Sequence, residues 1–595
     1  MTQQFNMANG VDYVLIAFYF VAIVWVGMYA ARKNKNTDEY FRGGGRIPWL
    51  VAGLSNWVSG YSAFMFVAAA GFTYLNGLGA VVIFTSAFWA YLLGYMVFGV
   101  RWRRARIRSP LEFLTKRYSP STTYFYSLTA IIPQIVGIGQ GLYILCIFVS
   151  TALGFNEREF DFGLAMVTGF QLSIILTGIV MVVYSVIGGL WAAVLSDTVQ
   201  AIIITVMTVV IFPVTFMYLG RGEGFLGGFD RLLQEAPEGY FTVSGDAANP
   251  LFLIAYLINV VLGYNVGWQI VQRYHSVPDE RDTKKMALLC AVLSVVGPLM
   301  WILPVMGSRI IFPDIDTLWP SFAVPAEASF VSLAMKLLPH GLIGFVVSAI
   351  LSATLGAAND SFNWLAATLT RDVYAPVKER LTGRVPSDRN QLMTGRLIMF
   401  IMGIFGIAVA LYIPALGGAF QFALVFYSLT AAFAMPVALG LLYTRTPWWS
   451  GMASCSAAIA AAVFFMVTDT WNEQAFIRNM LSESVVAASV FFGSAFFYRE
   501  KDPRNASILA FARDLSTPAL ETGTQEVIAG LRVYGLIGRI CFALGGILIA
   551  CAILPSTEEA PAVLNLAAGS LLLVIGAAAW LGTRKAVHPL TEETI

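Results

Sequence analysis

Apolar residues occur along this chain in long runs, not in the short polar alternations of half-buried strands or the one-sided stripes of surface helices. A bilayer-spanning helix needs about 20 mainly apolar residues. Runs of that kind begin near positions 11, 49, 79, 122, 163, 190, 250, 286, 340, 392, 417, 450, 478, 535 and 562. The pattern predicts an all-α polytopic membrane protein of about fifteen spans, because only intra-segment hydrogen bonding satisfies a backbone in lipid. Three polar intervals also carry helical patterns. Residues 229–235 and 326–338 read as short amphipathic helices on the membrane surface, and 505–515, with Ile508, Leu509, Phe511 and Ala512 apolar, as a surface helix linking the last two spans to the rest.

Two runs interrupt themselves. Residues 51–71 contain Gly53, Asn56 and Gly60, with Ser55, Ser59 and Ser62 at i, i+4 and i+7 on one helix face. Such residues suit either an unwound segment lining a cavity or a close helix–helix contact. Five spans later, 262–272 repeats the pattern with Gly263, Asn265, Gly267 and Gln269. Matching discontinuous helices in two halves of one bundle point to a five-plus-five inverted repeat around a midplane site for a solute and an ion. The expected division is 1–48 (first helix and basic loop), 49–219 (first half), 220–249 (connecting loop), 250–443 (second half) and 444–595 (additional helices and a linker).

Composition narrows the class further. At 58% hydrophobic, 12% charged and a mean hydropathy of +0.72, no soluble core could hide these side chains. The net charge of +2 implies no nucleic-acid partner, but its distribution is informative. With the N-terminus outside and the C-terminus inside, the inner loops collect most of the 37 Lys and Arg, including the run 101–108, while Glu157, Glu159 and Asp161 fall outside. The expected location is a bacterial inner membrane, with lipid as the main solvent. The first run is too long for a signal-peptide core and ends in Arg32 and Lys33, so it reads as a retained helix. No phosphate-binding G-x-x-x-x-G-K-[ST] and no G-x-S-x-G occurs, the five cysteines lack metal-ligand spacing, and the three histidines are far apart. ATP use and enzymatic chemistry are therefore unsupported, and no cofactor is expected.

A carboxylate at the bilayer centre costs about 2.5–3.5 kcal/mol on insertion scales, so those inside spans need a reason. Asp197 lies near the start of its run, where it is either an interfacial anchor or a functional group. Asp360 lies deeper, sharing a face with Ala353, Gly356 and Ala357 and flanked by Asn359 and Ser361. A carboxylate on such a small-residue face binds a cation, carries a proton or bonds the neighbouring helix.

A set of ordered segments resembles the sodium/solute symporter family, which includes sodium-coupled sugar, proline and sialic acid carriers. They are Glu39-Tyr40-Phe41 with Gly43-Gly44 and Pro48, Ser109-Pro110-Leu111-Glu112-Phe113, Tyr184-Ser185-Val186-Ile187-Gly188-Gly189-Leu190-Trp191-Ala192 leading to Asp197, Gln272-Arg273, Arg371-Asp372-Val373-Tyr374 and Gly417-Gly418-Ala419-Phe420-Gln421. The resemblance implies a LeuT-type bundle performing sodium-coupled symport of a small organic solute by alternating access. It also implies a main sodium site from carbonyls of Val58, Tyr61 and Ala353 plus two hydroxyls. Those hydroxyl positions fall on Gly356 and Ala357, which have none. A second cation site of the family maps to Asp197, Asn359 and Asp360. Three readings follow: sodium in a shifted site at Asp197, Asn359 and Asp360, a proton on Asp360, or an uncoupled carrier or solute sensor. The implied solute positions are Ser59, Ser62, Phe64, Met65, Asn265 and Gln421. Phe64 and Met65 lack the hydrogen-bonding groups a hexose needs, which disfavours sugars.

Overall fold

A computed structural model of the chain describes residues 5–6, 8–31, 45–60, 63–107, 110–154, 158–161, 163, 166–185, 190–243, 245–384, 386–416, 418–427, 429–468, 474–519, 524–553 and 559–592. Helix occupies every apolar run. Among the described residues, eight helices are long and apolar enough to cross a bilayer, and two bent pairs pass together. Shorter apolar helices, Gly10–Tyr19, Gly169–Val183, Leu342–Ala358, Thr430–Leu442 and Ser450–Phe465, fill the remaining runs.

The two bent pairs are the interrupted segments. Trp49–Ser59 and Ala63–Asn76 meet at 50°, and Pro250–Val266 and Ile270–Ser276 at 40°. In the second pair Gly267 takes φ −57° and ψ 128°, which leaves the α region and ends the helix at Val266. Around these breaks pack the long helices Ile131–Ala152, Leu190–Leu219, Glu280–Ile311 and Leu342–Thr368.

Flanking elements tie the bundle together at its ends. Buried Asp12 accepts hydrogen bonds from the backbone N–H groups of Gly341 (2.7 Å) and Gly344 (2.8 Å), so the first helix caps the start of Leu342–Thr368. A Cβ on Gly344 would come within 2.6 Å of the Asp12 backbone, hence the glycine. The last two helices, Thr524–Ile553 and Glu559–Glu592, meet through Gly538, Gly545, Gly569 and Gly576. A Cβ on Gly545 would lie 2.7 Å from the Gly569 carbonyl, the close approach that small residues permit in lipid. The expected linker helix is Ala506–Ser516, whose Phe511 packs edge-on against Phe113.

One expectation needs correction. Residues 325–338 form a 3-10 turn and the helix Ser329–Leu337, but Val331, Leu333 and Met335 are fully buried and Trp319 donates to Ser332 Oγ at 2.7 Å. Both faces are thus covered by protein, because an amphipathic pattern does not distinguish a lipid surface from a polar protein groove. The all-α reading holds, with one small antiparallel hairpin, Glu159–Asp161 with Met166–Thr168, added in the acidic interval outside the apolar runs.

Candidate functional site

The two breaks touch. Tyr264, three residues before Gly267, puts its hydroxyl and ring into the space a side chain at Gly60 would occupy; a Cβ there would overlap the hydroxyl and stand 2.6 Å from Cε1. Glycine at 60 is therefore a packing requirement that holds one bent segment against the other.

Beside this contact lies a cavity of about 520 Å³, walled by both breaks and by the helices Ile131–Ala152, Leu342–Thr368 and Thr430–Leu442. Its wall is rich in aromatic rings, among them Phe64, Tyr256, Tyr264, Trp268, Trp364 and Tyr427. The polar side chains are Ser59, Gln134, Gln140, Asn259, Thr354, Ser361 and Thr430, and no charged residue lines it among the described residues. From the breaks it extends past Tyr126, Gln134 and Val437, toward the helix ends that carry the basic segments; near there Arg117 Nε donates to the Gly440 carbonyl at 2.9 Å.

The opposite side of the breaks is closed by rings. Phe72 packs on Phe420 (4.6 Å between centroids) and edge-on to Phe84 (5.9 Å), and Phe66 packs on Phe330 (4.9 Å). Glu327 lies in this closure. Its Oε1 accepts from the N–H groups of Ala419 (2.6 Å) and Phe420 (3.3 Å) at the start of the helix Gly418–Tyr427. A Cβ on Gly71 would meet Glu327 Cγ at 2.9 Å, so the second half of the first broken helix, Ala63–Asn76, packs on the same residue. Burial pushes this carboxyl up to about 8, against the opposing pull of the two N–H donors.

Asp197 sits on the other side of the first broken helix. Ser55 Oγ and Arg273 Nη2 both donate to its Oδ2 at 2.8 Å, and Arg273 Nε donates to Ser55 Oγ at 3.3 Å. The pair is closed to water, with side-chain exposures of 0% for Arg273 and 7% for Asp197. The second carboxylate oxygen, Oδ1, stands 3.3 Å from where a Cβ on Gly356 would be.

The structure separates the expected residues. Ser59, Phe64, Met65 and Ala357 line the cavity, while Gly356 and Val58 are buried, Gly356 against Asp197. Asn265 does not line the cavity: its side-chain amide donates to the Ala90 and Val261 carbonyls, both at 2.9 Å, and its backbone carbonyl accepts from Trp102 Nε1. Gln421 is exposed and outside the lining. Tyr61 and Ser62, and the side chains of Ala353, Asn359 and Asp360, lie outside the described residues. Arg273 as the partner of Asp197 went unrecognised, although Gln272-Arg273 was among the segments carrying the resemblance. So did Asn259 and Tyr256, one and two turns before Gly263, where only the period of the second broken helix could have flagged them.

The family model described as "Sodium:solute symporter family" matches residues 40–455. The chain is 24% identical over 423 residues to the sodium/sialic acid symporter NanT of Aliivibrio fischeri, covering 69% of this chain and 77% of that protein. It is 24% identical over 558 residues to the sodium/glucose cotransporter of Vibrio parahaemolyticus, covering 88% and 99%. The structure of a Na+-coupled sialic acid symporter in a substrate-bound outward-open state aligns at a TM-score of 0.66 and 20% identity, over 82% of this chain and 98% of that one, which establishes the LeuT-type fold. A family match over most of the length, joined to two broken helices meeting beside one cavity, makes this chain a member of the sodium:solute symporter family, a multi-pass membrane carrier that couples sodium to the movement of a small solute.

Proposed function

We propose that the coupling ion binds beside Asp197, in a site shifted from the family's main one, and that the solute binds in the aromatic cavity between the breaks. The observation that carries this reading is the approach of Asp197 Oδ1 to Gly356, at 3.3 Å from the missing Cβ. Position 356 offers no side-chain oxygen, and a carboxylate oxygen from the neighbouring helix stands next to the gap. A hard cation needs several oxygens at short range. Carbonyls of Val58, Tyr61 and Ala353 and the side chains of Asn359 and Asp360 supply the others in this reading; Ala357, like Gly356, contributes only backbone. Arg273 compensates the carboxylate when the ion has left, since an unpaired buried charge is costly.

The halves 49–219 and 250–443 rock about this site, with about fifteen spans, the N-terminus outside and the cavity opening inward. In a bacterial inner membrane the potential then favours sodium entry by about 2.3 kcal/mol per charge per 100 mV. Ion and solute tighten each other's binding equally. The chain's work is transport, with no catalytic step.

The test uses purified protein in liposomes. Solute uptake accelerates under an inward sodium gradient but not under potassium, and Asp360→Asn weakens the sodium dependence. Uptake equal in sodium, potassium and choline rejects sodium coupling, and uptake that follows an imposed pH gradient assigns it to protons.

A further inference from the structure

The geometry points to a small organic cation, carrying an ammonium or alkylated ammonium head, as the solute that this cavity takes. The inference rests on the proposed solute site and deepens it. Three features of the wall converge. First, rings predominate: Phe64 and Tyr427 form a tilted pair with centroids 6.2 Å apart, and Tyr256, Tyr264, Trp268 and Trp364 join them around the same 520 Å³. Aromatic faces carry negative potential and attract a cation by about 2 kcal/mol or more in a desolvated site, while they repel an anion.

Second, three of the lining hydroxyls have spent their protons. Ser59 donates to the Ser55 carbonyl (2.8 Å), Thr354 to the Ile350 carbonyl (3.1 Å) and Ser361 to the Ala357 carbonyl (3.1 Å), each bond turning back onto its own helix. What these groups present to the cavity is lone pairs, which suit a ligand that donates or is positively charged.

Third, no Lys, Arg or His lines the cavity among the described residues. Arg273, the buried guanidinium nearest in sequence to the Trp268 wall, is already committed to Asp197 and Ser55. A solute carboxylate would therefore be desolvated against ring faces without a side-chain cation to pair it, a cost of several kcal/mol. An ammonium head is desolvated as well, but the ring faces offset part of that cost. The two relatives that carry sialic acid and glucose have sequences only 24% identical to this one, so their solutes do not fix the chemistry of this wall.

The experiment measures the melting temperature of the full-length protein in detergent with sodium chloride present, adding tetramethylammonium or benzyltrimethylammonium chloride, N-acetylneuraminate or glucose, each against potassium chloride at equal ionic strength. The expected result is a saturable upward shift with the ammonium probes and none with the other two. Trp268→Leu and Tyr427→Leu raise the half-saturating concentration at least about tenfold while both variants keep their sodium-induced shift. No shift with either ammonium probe, or a saturable shift with N-acetylneuraminate or glucose instead, overturns the inference. Loss of the sodium-induced shift in wild-type protein is a separate readout that strikes the coupling-site reading and leaves the solute inference to stand or fall on the probes.

Discussion

Arg273 reaches from the C-terminal half of the second broken helix to Asp197 on the Leu190–Leu219 helix, with Nη2 and Oδ2 2.8 Å apart and both side chains shut off from water. The two residues are 76 positions apart in sequence, and Ser55 of the first broken helix bridges them. One ion pair thus links both interrupted segments to the helix bearing the candidate cation ligand.

Breaking the pair from one side strands a charge. Asp197→Asn leaves the Arg273 guanidinium buried without its carboxylate, and the expected destabilisation is about 3–5 kcal/mol. The double variant Asp197→Asn with Arg273→Met removes both charges and recovers most of the lost thermal stability. Additive losses in the double variant would show that the two side chains act independently.

Contact between the breaks makes a second prediction. Gly60→Ala drives a methyl group into the Tyr264 hydroxyl and ring, which abolishes transport and lowers the melting temperature. Tyr264→Ala empties that space, so the pair Gly60→Ala with Tyr264→Ala is more stable than Gly60→Ala alone, by about 1–3 kcal/mol of relieved overpacking. A chemical denaturation or thermal series of the three variants measures this directly.

Both breaks were legible in the sequence because glycine and serine inside a 20-residue apolar run conflict with a continuous lipid-facing helix. The wall of the cavity was only partly so. Phe64 and Met65 flank the first break and do line it, whereas Asn265, beside the second, turns its amide to Ala90 and Val261. Polarity near a break marks a residue that needs a partner, and the partner is as readily a neighbouring backbone carbonyl as a solute. Rotation about the helix axis decides between them, and it depends on packing with Trp102 and Ala90, more than 160 residues away. The Asp197–Arg273 pair was hidden for the same reason. Asp197 and the sequence Gln272-Arg273 were each noticed, but nothing local says that they meet.

The carboxyl of Glu327 makes the ring-closed end of the bundle sensitive to pH. Tyr143 is the ionisable side chain beside it, and the facing donors are the backbone N–H groups of Ala419 and Phe420. Its pKa rises from 4.5 to about 8 when buried, so the closed form holds a proton that a water-exposed form gives up within that interval. The stabilisation is fully present below about 4.5 and is lost as pH rises through about 8. Glu327→Gln keeps an acceptor oxygen without the titration. Its melting temperature is expected to match the wild type at the acid end and exceed it at the alkaline end; parallel pH profiles for the two proteins would contradict the assignment.

Restoring a side-chain oxygen at position 356 tests the shifted site from the other direction. Gly356→Ser adds a hydroxyl beside Asp197 Oδ1, with Gln200 Nε2 3.9 Å from the new Cβ. The expected effect is a sodium dependence of uptake shifted to lower concentration by about tenfold, equivalent to about 1.4 kcal/mol. Unchanged sodium dependence, with the protein folded, would place the ion away from this helix.

Equilibrium binding of radioactive sodium to purified protein addresses the central claim most directly, because it requires no knowledge of the solute. Wild type is compared with the charge-neutral double variant Asp197→Asn, Arg273→Met, both checked for a single folded species. The account predicts saturable sodium binding in the wild type and its loss in the double variant. Undiminished sodium binding without the Asp197 carboxylate would contradict it.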